Sequence, residues 1–190
     1  MGRSKIISDV ALLDLLLPPL QEGGPAKLSF ARAASAAGLS PASLVQRFGT
    51  RDAMIVAILS RAWDCLVATT VALDAQLPPT PRGAVELLLQ LIPADEADYA
   101  FGDGLLLLRE DVRDPALRAR GAAWGALLAT ALGRRIADEH EDMRSLGWQM
   151  ASIWQGALIW WAFTRDGVAG DAVRRRLEEW CRSVGAFQDE

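Results

Sequence analysis

Apolar residues recur along most of the chain with the spacing expected of helices. Alanine and leucine dominate, and no stretch shows the sustained alternation that marks a half-buried strand. Prolines, glycines and one charged run divide this pattern into segments. We therefore expect an all-α protein, with four helices in the first 73 residues and others near residues 82–92, 98–113, 115–138, 142–165 and 170–186.

The first segment combines an apolar helical pattern with a strong break. Proline lacks a backbone donor and restricts the residue before it, so Pro18 and Pro19 are expected to end the first helix. Residues 23–25, with sequence GGP, then predict a loop. The predicted apolar face of this helix is Ile6, Val10, Leu13 and Leu17.

Two short helices joined by a tight turn come next. Ser29 can cap the second helix, and Gly38 supplies the permissive backbone that ends it. Ser40 can cap the third helix, with Pro41 at the first helical position, where proline is favoured. Thr50 can cap a long fourth helix over about residues 51–73. The predicted inner faces are Phe30, Ala33, Ala34 and Ala37 on the second helix, and Leu44 and Phe48 on the third.

The outer face of the third helix is small, polar and basic. It consists of Pro41, Ala42, Ser43, Val45, Gln46 and Arg47. A helix whose first turn lacks bulky side chains can enter the DNA major groove, where Ser, Gln and Arg hydrogen-bond base edges or phosphates. On spacing alone an interior helix pair is an equally good interpretation, because helix-turn-helix patterns have many false positives.

Charge is distributed unevenly along the chain. Residues 1–62 carry seven basic and four acidic residues, whereas the whole chain has a net charge of -4. A basic front end on an acidic body suggests that only the front end meets a polyanion. A chance difference in the charged residues of solvent-exposed helix faces would explain the same numbers of basic and acidic residues.

The run LSFARAASAAGLSPASLVQRFGTRDAM, residues 28–54, resembles the DNA-binding signature of TetR-type transcriptional regulators. The matching positions are Ser29, Ala37, Gly38, Leu39, Ser40, Leu44, Phe48, Gly49, Thr50, Arg51 and Asp52. The resemblance implies a helix-turn-helix DNA-binding domain at residues 1–50. It also implies a ligand-binding and dimerisation domain at residues 51–190 that begins with the long connecting helix.

The resemblance assigns roles to individual residues of this run. It implies phosphate contacts from Ser29, Ser43, Arg47 and Arg51, and base contacts from Pro41, Ala42, Val45 and Gln46, with Thr50 also at the DNA. Two positions depart from the family pattern. Val45 stands where relatives often have Tyr, and Arg47 stands where they often have Tyr or His. The prolines at positions 18 and 19 fall where the family's first helix normally continues.

The body of the chain is rich in aromatic residues, including most of the seven tryptophans. Core packing explains any one of them. In the resembled family the body helices enclose a small-molecule pocket, which implies a small hydrophobic or aromatic effector. The candidate lining residues are Trp63, Tyr99, Phe101, Trp124, Met150 and Trp154.

Residues 145–164 form a run of twenty residues without a charge, which is long enough to span a membrane. Two glutamines and two glycines weaken that interpretation, and no second span accompanies the run. A helix that is apolar all round is otherwise buried on two sides. The resemblance implies that helices near 142–165 and 170–186 form a homodimer interface, and we expect no membrane association.

The sequence offers little support for catalysis. His140 is the single histidine and lies within a charged run, DEHED, that we interpret as a solvated turn rather than a metal site. No nucleophile-elbow, phosphate-loop or dinucleotide motif occurs. Two distant cysteines, Cys65 and Cys181, suit a reducing compartment. We therefore expect no cofactor, no metal and no enzymatic activity in a cytoplasmic protein.

The function predicted from these observations is that of a homodimeric transcriptional repressor. It would bind a near-palindromic double-stranded operator and be released by a small ligand. The alternative is a helical small-molecule-binding or enzymatic domain that keeps the motif only as packing.

Overall fold

The computed structural model describes residues 7–92, 107–137 and 142–187, and these are helical with no strand. The all-α prediction is confirmed, whereas the predicted start of a helix at residue 98 lies outside the described residues. The helices are α1 (Asp9–Lys27), α2 (Phe30–Ala37), α3 (Pro41–Phe48), α4 (Arg51–Gln76), α5 (Pro81–Gln90), α6 (107–113), α7 (Pro115–Ile136), α8 (Met143–Thr164) and α9 (Ala169–Ser183).

The prediction that α1 ends at its two prolines is wrong. The helix continues through Pro18 and Pro19 and breaks at Gly24, where φ is 66° and ψ is 173°, a conformation open to glycine. The predicted apolar face is only partly correct. Ile6 lies outside the described residues. Leu13 and Leu17 pack partly buried against the core, but Val10 is exposed, and the fully buried residues are Leu12, Leu16 and Leu20. These leucines lie four residues apart on both sides of the prolines. Burying all three favours a continuous helix over the hydrogen bonds that the prolines remove.

Contacts within the described residues define two compact units. The first unit comprises residues 7–65 and 107–121, and the second comprises residues 66–92, 122–137 and 142–187. The predicted domain boundary near residue 50 differs from this division because the first half of α4 packs in the core of the first unit. That core contains Leu12, Leu16, Leu20, Leu28, Ala33, Ala34, Leu44, Met54, Ile55, Ile58, Leu59 and Leu117.

Helices α7 and α8 of the second unit pack with their backbones in close approach. A β-carbon built on Gly147 of α8 would lie 2.6 Å from the carbonyl carbon of Ala129 in α7. A β-carbon on Gly133 of α7 would lie equally close, 2.6 Å, to the carbonyl carbon of Met143. Glycine at both positions therefore sets how closely the two helices approach.

A buried arginine closes the end of α4 in the second unit. The guanidinium of Arg135 contacts the carboxylate of Asp74 and donates to the Asp74 carbonyl oxygen at 2.8 Å. It also donates to the carbonyl oxygens of Leu77 and Pro78 at 3.2 and 3.1 Å. These carbonyls follow the last turn of α4 and would otherwise lack helical partners. Arg135 is thus buried with its charge paired and its donors used.

The apolar face of α9 is used inside the chain. Val173, Leu177 and Cys181 are fully buried, as the periodicity of this helix predicts. The pKa of the Cys181 thiol is raised to about 11, because burial disfavours the thiolate. The apolar side of α9, a helix that the resemblance assigns to a homodimer interface, therefore packs within the second unit.

In the described part of the chain, the one helix long and apolar enough to cross a membrane is α4, not α8. Its Met54 and Ile58 are fully buried in the first unit. Its Arg61 forms a two-bond ion pair with Asp14 of α1, at 2.7 and 3.2 Å. The first half of this helix therefore packs in the core of the first unit.

Candidate nucleic-acid interface

The caps and turns around α3 form as the sequence predicts. Ser29 accepts a hydrogen bond from the Arg32 amide at 3.2 Å, and Ser40 accepts one from the Ser43 amide at 3.1 Å. Gly38 adopts the left-handed conformation, with φ 64° and ψ 31°, at the end of α2. Thr50 accepts from the Ala53 amide at 3.1 Å and so begins α4. These caps and turns define both ends of the short helices α2 and α3 and the first residue of α4.

Helix α3 buries one side and exposes the other. Leu44 is fully buried in the core of the first unit, and Phe48 packs partly buried against it. The exposed side carries every residue that the sequence placed near the bases, namely Pro41, Ala42, Val45 and Gln46. Ser43 is exposed as well, with its hydroxyl 2.8 Å from that of Ser40. The outer face of α3 is therefore a slim, mostly uncharged surface, which we call the α3 face.

Arg47 lies on the last turn of α3 and points towards the start of α1. Its Nε lies 2.8 Å from Asp9 Oδ1, and its Nη2 donates to the Ile7 carbonyl oxygen at 2.8 Å. Sequence spacing gave no sign of this pairing, which joins residues about forty positions apart. Arg47, which the resemblance assigns to a DNA phosphate, thus forms an ion pair with Asp9 within the chain.

Arg51 makes contacts that the sequence analysis missed. Its Nε donates to the Leu28 carbonyl oxygen at 2.8 Å, and its Nη2 donates to that of Pro25. Its Nη1 lies 3.3 Å from the Asp52 carboxylate. The guanidinium therefore ties the start of α4 to the junction of α1 and α2, just after the Gly24 kink. The assignment of Arg51 to a phosphate stays a prediction.

The other cations of this unit are partly engaged. Arg32 lies 3.8 Å from Glu22, and the Arg61 guanidinium lowers the pKa of Asp14 by hydrogen bonding to its carboxylate. Lys27 is exposed on the last turn of α1. The Arg32–Glu22 pair is long and exposed to solvent, so it contributes little stability.

The predicted effector-lining residues divide between the two units. Trp63 belongs to the first unit, where its indole N–H donates to Asp111 Oδ1 at 2.9 Å. The pKa of Asp111 is raised because burial disfavours its charged form. Tyr99 and Phe101 lie outside the described residues. The remaining three candidates, Trp124, Met150 and Trp154, lie in the second unit.

Trp124 and Trp154 form an aromatic pair in the second unit, with ring centroids 6.5 Å apart and planes inclined by 57°. Met150 is fully buried one helical turn before Trp154 on the same face of α8. The Trp124 indole N–H donates to Thr70 Oγ1 at 3.0 Å. Within the described residues the Trp154 indole N–H is buried without a hydrogen-bond partner. Buried donors are seldom left unpaired, so this N–H is an unsatisfied polar group beside the aromatic pair.

The opposite side of α8 carries large apolar residues that the chain itself leaves exposed. Trp160 and Phe163 are 69% and 78% exposed, and their ring centroids lie 6.0 Å apart. Trp148, Ile153 and Ile159 are also exposed on this helix. We call this set of five residues the α8 outer face. Large apolar patches of this kind mark interaction surfaces on soluble proteins.

The described residues contain no group of three or more His, Cys, Asp or Glu side chains placed to hold a metal ion. His140 lies outside the described residues.

Comparison with known proteins gives matches by structure rather than by sequence. No family model matches the sequence, and a search of curated proteins finds no relative. A TetR transcription regulator from Haloarcula marismortui is 18% identical with a TM-score of 0.72, over 92% of this chain and 97% of that one. A TetR transcriptional regulator from Legionella pneumophila is 17% identical with a TM-score of 0.67, over 95% and 99%.

A third structure adds a bound small molecule. It is a candidate transcriptional regulator from Saccharomonospora viridis in complex with choline, 17% identical with a TM-score of 0.69, over 90% of this chain and 93% of that one. All three matches extend over nearly the full length of both chains. This chain therefore has the fold of the TetR-family transcriptional regulators.

Proposed function

We propose that this protein is a DNA-binding transcriptional regulator that reads its operator with α3. The observation that carries the proposal is the α3 face, which is exposed on a helix held by caps on both sides. A helix that served only to pack inside the protein would not need a surface of small and polar side chains exposed to solvent. A major groove about 12 Å wide admits such a helix closely.

The proposal assigns a role to each residue of the α3 face and to its neighbours. Gln46 has an amide that can pair with adenine, and Val45 offers an apolar contact to a thymine methyl group. Pro41 and Ala42 permit close approach of the first turn. We propose that Ser29, Ser43 and Arg47 contact phosphates on either side, together with Thr50 at the start of α4.

We further propose that the active form is a homodimer joined through the α8 outer face. This face is apolar, aromatic and left exposed by the described part of the chain, which suits a self-complementary interface. Two copies of α3 would then enter successive major grooves of a near-palindromic operator, with half-sites about 34 Å apart.

The aromatic pair of the second unit supports a small effector that is apolar or aromatic and carries a hydrogen-bond acceptor. Its rings would pack on Trp124 and Trp154, and its acceptor would receive the Trp154 N–H, whose unpaired burial costs about 1–3 kcal/mol. The choline complex of a protein with this fold is a precedent for small-molecule binding. An effector that prefers the state less fit for DNA would release the repressor.

Selection of bound duplexes from a random DNA pool tests the central proposal. We expect recovery of a near-palindromic sequence, salt-dependent affinity, and loss of binding when the correct effector is present. Failure to bind any duplex, even at low salt, would instead favour a helical domain that keeps the motif only as packing.

Gln46→Ala is expected to change the selected sequence while leaving non-specific binding intact. A lost bidentate contact reduces discrimination at one base pair of each half-site by roughly tenfold to a hundredfold. The comparison is the base frequency at each operator position for wild type and variant. Gln21→Ala, which alters an exposed glutamine of α1, is the control and should select the wild-type sequence. An unchanged preference in Gln46→Ala would remove this residue from base readout.

Phe163→Glu is expected to convert the dimer to a monomer. Placing a charge in an apolar interface leaves it buried and unpaired, and we expect the dimer dissociation constant to rise by at least about a hundredfold. Sedimentation or light scattering across a concentration series measures the change. Val10→Glu, at an exposed valine of α1, is the matched control and should leave the oligomeric state unchanged. A Phe163→Glu protein that stays dimeric would place the interface elsewhere.

A further inference from the structure

The Arg47 guanidinium is held by two acceptors at the start of α1. Asp9 Oδ1 lies 2.8 Å from Nε, and the Ile7 carbonyl oxygen accepts from Nη2 at 2.8 Å. Arg47 follows directly after Gln46, the residue of the α3 face best suited to read a base. The Arg47 side chain is therefore next to the candidate DNA surface and is already paired with the Asp9 carboxylate of the same chain.

The Asp9 carboxylate offers Arg47 the same chemistry as a DNA phosphate. Both are anions with oxygen acceptors that match the planar fork of a guanidinium. The Asp9 side chain is 76% exposed, whereas that of Arg47 is 29% exposed. The pair thus lies at the surface, where one anion can replace another without disturbing the core.

The start of α1 does not depend on this pair. Ser8 caps the helix by accepting from the Ala11 amide at 3.2 Å, and the Ser8 carbonyl accepts from the Leu12 amide at 2.9 Å. Leu12, Leu16 and Leu20 anchor the same helix in the core. The contact with Arg47 adds little that α1 needs for its own stability.

We propose that Asp9 is an internal competitor for the phosphate that Arg47 contacts, and that it thereby sets the DNA affinity of the α3 face. This inference rests on the proposed DNA-binding function. Arg47 must leave Asp9, wholly or in part, to pair with a phosphate. The contact then releases fewer counterions and yields less affinity than a free arginine would, so discrimination depends more on the base contacts of α3.

A double-mutant cycle with Asp9→Asn and Arg47→Gln tests this competition. Affinity for one random-sequence duplex of about 25 base pairs is measured against salt for wild type, both single variants and the double variant. Asparagine keeps the shape of Asp9 and removes its charge. We expect Asp9→Asn to bind up to about fivefold tighter than wild type at low salt, as for release of an exposed ion pair. Its salt slope should be steeper by up to about 0.9, as for one additional phosphate contact.

The arginine-free background separates competition from general charge. Removing one negative charge near DNA strengthens binding wherever it occurs, and that effect is the same with or without Arg47. We expect Asp9→Asn to have a clearly smaller effect in the Arg47→Gln background, with no steepening of the slope. Equal effects in both backgrounds would overturn the proposal.

Two further outcomes are informative. A lower melting temperature together with weaker DNA binding in Asp9→Asn would make the pair a structural latch and would also overturn the proposal. Absence of salt-dependent binding by the wild-type protein would overturn the DNA-binding function itself. That last result is read from wild type alone, so the two failures are distinguishable.

Discussion

Gly147→Ala is expected to lower the midpoint of thermal unfolding of this protein by about 10 °C. The added β-carbon would meet the backbone of Ala129, 2.6 Å from its carbonyl carbon, and a carbonyl held in a helix cannot rotate aside. The helices α7 and α8 must separate to admit it. We estimate a cost of about 3 kcal/mol from overpacking, and a chain of this size loses about 2–4 °C per kcal/mol.

The same substitution elsewhere provides the control. Gly170 lies in the first turn of α9, and a β-carbon there meets nothing within 4 Å. Gly170→Ala should therefore leave the midpoint unchanged or raise it, because alanine favours a helix by up to about 1 kcal/mol over glycine. Similar midpoints for Gly147→Ala and Gly170→Ala would show that α7 and α8 do not pack this closely.

Local chemistry explains why the helix-turn-helix region could be predicted from the sequence. A cap involves residues two or three positions apart, so Ser29, Ser40 and Thr50 carry their structural role in the sequence itself. The left-handed turn at Gly38 is equally local, since few residues adopt that conformation. Where their ends are described, the predicted bounds of the later helices agree to within three residues, because prolines, glycines and the charged run DEHED mark these ends.

The error in α1 shows where local rules lose to tertiary packing. Two prolines remove two helical hydrogen bonds, but the residues whose carbonyls are freed, Asp14 and Leu15, are exposed to water. Leucines on the other side of the helix gain full burial on both sides of the prolines. The sequence contains both signals, and only the surrounding core decides between them.

Partners distant in the sequence account for what the candidate site did not reveal in advance. Arg47 with Asp9 and Arg51 with the carbonyl oxygen of Leu28 are joined only by the folded chain. Sequence identifies an arginine as a cation near the α3 face, but not the acceptor that it faces. The tryptophans pose the same difficulty. Trp154 is buried in an aromatic pair and Trp160 is exposed, yet both are tryptophans of the same apolar helix, so the sequence does not show which one is buried.

Arg51→Ala is expected to lower the midpoint of thermal unfolding by about 5 °C. The substitution removes hydrogen bonds from a charged donor to the carbonyl oxygens of Leu28 and Pro25. Each such bond contributes about 1.5–3 kcal/mol when well sheltered, and we expect about 2 kcal/mol in total because the Arg51 side chain is partly exposed. Arg113→Ala is the control. Its side chain is 63% exposed and, among the described residues, pairs with Glu110 one turn away, so the midpoint should stay within about 1 °C of wild type.

Arg51→Lys decides whether this arginine acts by holding the helices or by contacting a phosphate. Lysine keeps the positive charge, but a single ammonium group cannot reproduce the fork that reaches two carbonyls. If Arg51 acts through the junction of α1 and α2, both variants melt early and the salt dependence of DNA binding keeps its wild-type slope. If Arg51 contacts a phosphate, alanine lowers the slope by about 0.9 while lysine restores it, with little change in the midpoint. Because the guanidinium already donates to two backbone oxygens, we expect the first result, in which Arg51 serves DNA binding by fixing the start of α4 beside α3.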